Sequence, residues 1–547
     1  MAISSTTTTR YSSREEVESK LSTLRKTFRS GKTKDLAFRK WQLKQFWWLV
    51  TENEDKICQA LAKDLNRTEF ETYGSDILGL KQDILDHIEH LEEWAADEIP
   101  DAGFLFGTLG KARVRKEPLG VALIIGAWNF PFLLLLQPMI AAIAAGCTVL
   151  LKPSELSRET EATLVSLVPQ YFDPTAYAIV TGGPQEMQHI LSLKFDHIFF
   201  TGSASVARHI AAAAAKHLTP TVLELGGRGP AIVGRTADLS IAAKRVAYAK
   251  FMNAGQICLS VNHVFVDPAV HDQFVAQLIL WNDRFHGADK SKGKGEPSQM
   301  GKIVNERHYD RLQSILNKTH GDIVYGGSGD RAALQFKTTV VDGVHIHDST
   351  LSEELFGPIL PVIKASTEEA VHQINHLPHP LAIYIFSQDD KEVDYILNNT
   401  QSGGVTVNDV MMHAGVHGAP FGGVGESGYG FYHGKYGMEA FSHKRTVVNL
   451  PLWVDKLMSF RYPPFVPSNK SKFEVKNRLG FKKGETLKDQ KIRKLPRHKV
   501  SWNTLLVVAL AIAIGWGIGA KANYLTGERE RLWDSFRRTP FIAKLGL

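Results

Sequence analysis

Residues 197–207 read His-Ile-Phe-Phe-Thr-Gly-Ser-Ala-Ser-Val-Ala: a short apolar run, a Gly202-Ser203 turn, then a segment of small residues that opens a helix. A strand that ends in such a turn and feeds a helix is one unit of a parallel α/β sheet. The turn leaves backbone N–H groups free to hold a phosphate. The full G-x-G-x-x-G fingerprint is absent, so by itself the turn is weak evidence for a nucleotide. The same alternation of short apolar run and helix-length segment extends outward to Val121–Ile125, Thr148–Leu151, Tyr177–Val180 and Val222–Leu225. It recurs at Val264–Val266, Pro361–Lys364, Leu381–Phe386 and Gly404–Val407. Two α/β units in sequence are therefore predicted. Ahead of them, Ser13-Arg-Glu-Glu16 has capping-box spacing. A helical pattern follows through Val17, Leu21, Leu24 and Phe28 and again from Trp41 to Leu61, which predicts an N-terminal helical section.

Ligands of parallel sheets bind at the carboxyl ends of strands, and three polar motifs fall there, with a fourth, around Cys258, after a helix-like segment and before the strand Val264–Val266. Gly126-Ala-Trp128-Asn129-Phe-Pro131 carries an amide able to donate to a developing oxyanion, and Lys152-Pro-Ser-Glu155 ends the next strand. Glu224-Leu-Gly-Gly sets a carboxylate beside two glycines, a plausible base at an open pocket. Cys258 closes Asn253-Ala-Gly-Gln-Ile-Cys, where a glycine lets backbone approach a ligand closely. Taken singly, each has an ordinary reading: an inert small hydrophobe for the cysteine, a solvated strand-end group for Lys152 or Glu224. Together, with three of them at strand ends, they form a constellation that favours a site. The three cysteines, Cys58, Cys147 and Cys258, are too few and too scattered for a disulfide framework or a zinc site, so no metal is expected and the compartment should be reducing.

The composition is that of a soluble globular chain of 547 residues, with 44% hydrophobic and 22% charged residues, which excludes collagen, polar disorder and a polytopic membrane protein. Residues 1–13 are Ser/Thr-rich with no apolar stretch, so no signal peptide is predicted. The net charge of +7 is unevenly spread. Residues 470–547 hold 18 Lys/Arg against 6 Asp/Glu, which leaves the body mildly acidic. The basic segment lacks interleaved aromatics and abuts an apolar run, so a membrane surface explains it better than nucleic acid. From Trp502 to Ala520 there is no charge over 19 residues. At 1.5 Å per residue that is about 28 Å, close to a hydrocarbon core of ~30 Å. A single spanning helix is expected. The flank before it has twelve Lys/Arg and the flank after it six, which orients the body to the cytosol.

From about Ser13 to Val448 the chain resembles the NAD(P)-dependent aldehyde dehydrogenases. Trp-Asn-Phe-Pro, Lys-Pro-Ser-Glu, Phe-Thr-Gly-Ser, Glu-Leu-Gly-Gly, Gly-Gln-x-Cys, Glu353-Glu-Leu-Phe-Gly-Pro358 and Pro420-Phe-Gly-Gly423 stand in family order. Leu91-x-x-Trp94-Ala-Ala-Asp97, Tyr432-His-Gly-Lys-Tyr436 and Phe441-Ser-His-Lys-Arg445 are similar to the class 3 branch. With the apolar tail, the resemblance is greatest to its membrane-anchored fatty aldehyde dehydrogenases. Two positions depart from the pattern: Arg228-Gly229 stands where Lys-Ser usually follows Glu-Leu-Gly-Gly, and Ala207 where a glycine commonly closes the phosphate turn. The first is expected to alter contacts around the site and the second to be tolerated.

The resemblance implies an aldehyde dehydrogenase-like α/β fold with a Rossmann-type NAD-binding domain, an α/β catalytic domain and a small bridging β element. The expected divisions are N-terminal helices and NAD-binding domain at 1–223, catalytic thiol domain at 224–402 and a returning segment at 403–461. A basic linker at 462–500, a transmembrane helix at 501–520 and a distal tail at 521–547 would follow. It also implies Cys258 as nucleophile, Glu224 as the base for thioester hydrolysis, and Asn129 with the Cys258 N–H as oxyanion donors. Lys152 and Glu155 would bind the adenosine ribose, Gly202, Ser203 and Ala207 the pyrophosphate turn, Glu354 the nicotinamide ribose, and Phe356 and Trp128 the ring surroundings. Glu155 would repel a 2′-phosphate, which favours NAD over NADP. A long-chain aldehyde substrate, a homodimer, and an endoplasmic reticulum or mitochondrial outer membrane location are further expectations. Retention of Glu224 argues against an acylating enzyme that passes its thioester to coenzyme A. The intact Cys258, Glu224 and Asn129 argue against an inactive scaffold.

Overall fold

Ser13 accepts the backbone N–H of Glu16 at 3.2 Å and starts the helix Arg14–Arg29, whose Val17, Leu21 and Leu24 pack down on the first sheet. This is a computed structural model, and it describes residues 10–286, 299–416, 418–475 and 477–492. The Trp41–Leu61 pattern, which reads as one helical stretch, is two helices. Leu36–Glu52 and Glu54–Leu65 meet at Asn53, whose φ of −124° leaves the helical range. Asn53 compensates by donating its amide to Leu49 O and Tyr171 Oη, both at 2.9 Å.

The first sheet has six strands in the spatial order Gly428–Tyr429, Thr221–Leu225, His197–Gly202, Val121–Ile125, Thr148–Lys152, Tyr177–Ile179. All pairs are parallel except Gly428–Tyr429, which runs antiparallel with Gly428 opposite Glu224. Val121–Ile125 and Thr148–Lys152 are buried along their whole length, as continuous apolar strands covered on both faces should be. Chain order reverses between Val121–Ile125 and His197–Gly202, so a crevice opens beyond their carboxyl ends.

The second sheet has seven strands in the order Gly404–Val407, Ala382–Phe386, Pro230–Val233, His263–Val266, Ile359–Lys364, Thr339–Asp342, Asp322–Tyr325, with only the last antiparallel to its neighbour. Pro230–Val233, Thr339–Asp342 and Asp322–Tyr325 carry no strand signal strong enough to read from the sequence. The first of these begins four residues after the strand Thr221–Leu225 ends, so the chain passes from one sheet directly into the other at the glycines. A ribbon of Arg113–Pro118 and Ser442–Val447 supplies the small β element, with Arg445 Nη1 on Glu117 Oε1 at 3.2 Å. The helix Leu133–Ala145 is apolar on every side and joins the N-terminal helices to the first sheet in one large core.

By its internal contacts the chain divides after Leu452. The described part of the second unit has a short helix, Val454–Met458, then single turns, and its Phe465, Val475, Leu479 and Leu487 are exposed. Among the described residues no helix is long and apolar enough to cross a membrane. The expected transmembrane helix at 501–520 lies outside the described residues, as do the distal tail and the end of the linker.

Candidate active site

Cys258 follows a turn that few sequences can make. Asn253, Ala254 and Gly255 are consecutively left-handed, with φ of 47°, 52° and 69°. Such angles are costly for residues that carry a Cβ, and they persist only where the surroundings hold them. Here the surroundings are polar and buried. Gln256, with no exposed surface, donates its amide to Asn253 O and Lys302 O at 3.0 Å and accepts from Val304 N at 3.0 Å. A Cβ on Gly255 would stand 2.4 Å from Gly357 O, so the turn is also pinned against the segment that carries Glu354 and Phe356.

Asn129 donates its amide to Gln256 O at 3.1 Å, two residues before the thiol. An amide nitrogen has two protons, so one remains to offer to a substrate oxygen. Asn129 is fixed by a residue whose role the sequence does not disclose. Arg67, fully buried, pairs with Asp76 at 2.6 Å and donates to Asn253 Oδ1 at 3.0 Å and to Asn129 O. Asn253 in turn donates to Asn129 O and Gln256 O at 3.1 Å, and its own N–H is taken by Glu71 Oε1 at 2.7 Å. The helical section thus reaches the thiol through a chain of hydrogen bonds.

Glu224 lies near the end of its strand, 3% exposed, and neither carboxylate oxygen has a hydrogen-bond donor. Burial holds its carboxyl well above the usual carboxylate range. Glu354 packs where a Cβ on Gly226 would meet its Oε1 at 2.3 Å, so the glycine pair after Glu224 makes room for the second acid. Burial pushes Glu354 up to about 7, with the Gly227 N–H, Arg311 and Lys250 opposing. Burial, then Glu354, then Glu224 push the Cys258 thiol up to about 12. Lys250, likewise buried, donates to Gly357 O at 3.2 Å and is lowered by burial to about 7. Arg311 clamps the same segment through Glu354 O at 3.3 Å and Leu355 O at 2.5 Å. Arg228 donates to Leu351 O at 2.5 Å, which fixes the approach to Glu354 from the other side.

At the far end of the crevice Lys152 is buried and bonded to Glu155 at 2.7 Å. Gly202 cannot carry a side chain, because a Cβ would lie 2.4 Å from the Phe200 ring, and Ser203 caps the helix Ala204–Ala215. Ala207 is inside that helix and not in the turn, and its methyl is buried in the apolar cluster beneath. Trp128 packs edge-on to Phe356 at 5.2 Å and beside His308 at 5.4 Å. A strand–turn–helix N-terminus, a strand-end Lys/Glu pair and an aromatic wall beside the acid-flanked thiol fit a dinucleotide laid along the crevice. Among the described residues no cluster could hold a metal ion. Arg67, Asp76, Lys250, Arg311 and His308 are the neighbours that sequence reading missed. Arg67, lying before any strand motif, gave no signal at all.

Comparison with known proteins gives a consistent identity. The model of the aldehyde dehydrogenase family matches residues 4–447. The dog protein "Aldehyde dehydrogenase, dimeric NADP-preferring" is 41% identical over 441 residues, covering 80% of this chain and 96% of its own. The rat "Aldehyde dehydrogenase family 3 member A2" is 41% identical over 449 residues, covering 82% and 91%. Among solved structures, a substrate-bound AldH of Staphylococcus aureus aligns with a TM-score of 0.76 at 34% identity, covering 84% of this chain and 99% of its own.

Three outcomes are expected from this geometry. Gly255→Ala adds a Cβ against a backbone carbonyl at a left-handed position, so it should lower the melting temperature by several degrees and activity with it; an unchanged melt means the turn relaxes freely. Alkylation of Cys258 by iodoacetamide, followed by peptide mass spectrometry without cofactor, should rise with pH up to pH 10 with no plateau, because the thiol is pushed up to about 12. Glu354→Gln removes the strongest acidic neighbour, so it should lower the thiol pKa and speed alkylation at pH 8. Unchanged alkylation would place Glu354 away from the sulfur.

Proposed function

The chain belongs to the aldehyde dehydrogenase family, and from that premise we propose that it oxidises long-chain aliphatic aldehydes to fatty acids with NAD, held at a membrane by its C-terminus. The observation that carries the chemistry is a thiol on a rigid turn between two buried acids, one of which, Glu224, has no hydrogen-bond donor of its own. A carboxylate left without donors in a dry pocket is a strong base when ionised, and it stays open to a water or a thiol proton.

In this reading the Cys258 sulfur bonds to the carbonyl carbon as its proton passes to a neighbouring carboxylate in its ionised form. The oxygen takes the charge and is held by the free Asn129 proton and the Cys258 N–H. A lost donor of this kind typically costs ~10²–10³ in kcat. When bound, an oxidised nicotinamide supplies the acceptor for the hydride that the tetrahedral carbon gives up. Glu224 then takes a proton from water, the hydroxide adds to the thioester carbon, and Cys258 leaves as thiolate with release of the acid. Lys152 and Glu155 hold the adenosine ribose, Gly202 and Ser203 the pyrophosphate, and Glu354, Trp128 and Phe356 the nicotinamide end. The Glu155 carboxylate, next to where a 2′-phosphate would sit, supports NAD over NADP; the dog relative bears the opposite preference in its name. That name also supports a dimer.

The long-chain substrate and the anchor support one another. A fatty aldehyde partitions into lipid, and an uncharged run of 19 residues beyond a basic linker supplies a span that would hold the enzyme there. The body then faces the cytosol from the endoplasmic reticulum or the mitochondrial outer membrane.

Two experiments test this reading. Glu224→Gln should give a single burst of NADH without sustained turnover, whereas Cys258→Ala should give none; a wild-type steady-state rate in Glu224→Gln removes Glu224 as the base. Truncation after Val500 should leave oxidation of a short, soluble aldehyde intact and reduce kcat/KM on vesicle-partitioned long-chain aldehydes several-fold. Loss of activity on the soluble aldehyde too would make the tail part of the catalytic body.

A further inference from the structure

The segment Ala102–Gly110 reads Ala-Gly-Phe-Leu-Phe-Gly-Thr-Leu-Gly, nine residues without a charge and with Thr108 as the one polar side chain. It enters no core. It forms a single wide helical turn, Gly103–Leu109, in which no residue is buried. Phe104 is 70% exposed, Phe106 49%, and Ile99 just before them 77%. Large apolar side chains gathered on one exposed element mark a surface that something covers. The turn is nevertheless held in place. Gly110 N donates to Leu105 O and Ala112 N to Phe106 O, both at 2.9 Å, so these carbonyls need no water. Its base is tied to the end of the compact body: Asn449 N donates to Gly110 O at 2.7 Å, and a Cβ on Gly110 would stand 2.8 Å from Val448 Cγ1. Val448 is exposed, and the body ends four residues later at Leu452, also exposed. The turn leads into the two-stranded ribbon, which is basic. From Asp97 to Glu117 and along Ser442–Val447 there are six Lys/Arg against four Asp/Glu. Ion pairs with Asp97, Glu98 and Glu117, and with Glu439 for Lys444, take up part of that charge, while Lys111 stands exposed at the very end of the apolar run.

Aromatic side chains on a short turn, with bases at its edge, suit the boundary between lipid headgroups and acyl chains: the rings enter the apolar side and the cations meet phosphate. Seven residues are too few to cross a bilayer, so such an element lies in the interface. We propose that the turn Gly103–Leu109 is a membrane contact of the catalytic body, setting Phe104 and Phe106 into the interface of a bilayer that contains anionic lipid. Two features favour lipid over a second copy of the chain. The rim is positive, so two copies apposed here would bring like charges together, whereas anionic headgroups would be attracted. The chain also leaves the body from the very segment bonded to this turn, and runs on through a basic linker to the uncharged stretch from Trp502 to Ala520. The second feature rests on the membrane reading proposed above; the exposed turn and its rim do not. A body held by its tail alone is free to tumble on the surface, and a second contact fixes the face it turns to the lipid.

The full-length protein is reconstituted in phosphatidylcholine vesicles, with and without phosphatidylserine, that carry a lipid with a photoactivatable diazirine near the top of its acyl chain; after illumination, lipid adducts are mapped by peptide mass spectrometry. Adducts should appear on the peptide that covers 99–111, and their yield should rise roughly three- to tenfold when phosphatidylserine is present. The double variant Phe104→Ser/Phe106→Ser should lose these adducts by at least about fivefold, since the apolar area that enters the lipid is gone. It should keep the wild-type melting temperature and the wild-type rate on a short, soluble aldehyde, because both rings are exposed and neither belongs to the active site. Adducts at 502–520 report the anchor separately. Their presence together with an unlabelled 99–111 overturns the proposal and leaves the anchor standing; labelling of 99–111 without 502–520 overturns the anchor and leaves the proposal standing. Equal labelling of 99–111 in wild type and the double variant overturns it too. So does a double variant that sediments as a monomer where wild type sediments as a dimer, which would assign the turn to a second copy of the chain.

Discussion

A guanidinium with no contact with solvent sets the geometry of this candidate active site. Arg67 belongs to the short link between two N-terminal helices, far in sequence from every reactive residue, yet its donors end on Asp76, Asn253 and Asn129. Its plane also lies 4.2 Å over the Phe130 ring, which fills the one direction where no hydrogen bond is made. Removing one partner of such a pair typically costs about 3–5 kcal/mol, because the other charge stays buried. The consequence is rigidity where chemistry needs it. The left-handed turn before Cys258 and the amide of Asn129 come from different sheets, and one cation holds them in a common frame.

That frame surrounds the thiol with groups that resist charge. Glu224, Glu354, Lys250 and Cys258 are each driven by burial towards the neutral form. A free thiolate between two carboxylates would be unstable, so the resting site keeps its protons and forgoes a preformed nucleophile. Arrival of a positive nicotinamide ring would change the balance in one direction for all three acids, since a nearby cation favours every anionic form. Held as a thiol, the sulfur is also less open to oxidation, because the thiolate is the reactive species.

Much of this was legible in the sequence for a simple reason. Strand-end motifs such as Lys152-Pro-Ser-Glu155 and Glu224-Leu-Gly-Gly combine a buried apolar strand, which announces itself by composition, with polar residues that have no packing reason to follow it. Strands that end without such a motif were hidden. Pro230–Val233 is four residues long, and Asp322–Tyr325 is mostly exposed and alternates poorly. Arg67, in a link between helices, and Lys250, in the last turn of one, were hidden for the opposite reason: a basic residue in either place looks solvated, and only the fold reveals that it has been drawn inside. Lys152 would have been misread the same way without its motif. Asn53 split a helical pattern that periodicity alone carries across it, since an asparagine in mid-pattern has no strong preference until its amide finds Tyr171.

The two positions where the chain departs from its family are absorbed differently, and the difference follows from where their side chains point. Ala207 adds one methyl inside a helix that is already turned towards an apolar cluster, so its backbone still donates to Ser203 O at 3.0 Å and the Gly202-Ser203 turn itself is untouched. Arg228 is a larger change. Its guanidinium takes Leu351 O and its charge lies within reach of Glu426, while Gly229 beside it leaves only 3.1 Å between a would-be Cβ and Ala382 O. A serine at 229 would crowd that carbonyl, so the exchange of Lys-Ser for Arg-Gly reads as one coupled change and not two. What it gains is a second clamp on the segment carrying Glu354, opposite Arg311. With both ends of that segment tied by planar, multi-donor cations, the acid that dominates the field at Cys258 is held at a fixed distance from the sulfur, and the thiol's proton affinity becomes a property of the fold more than of local motion.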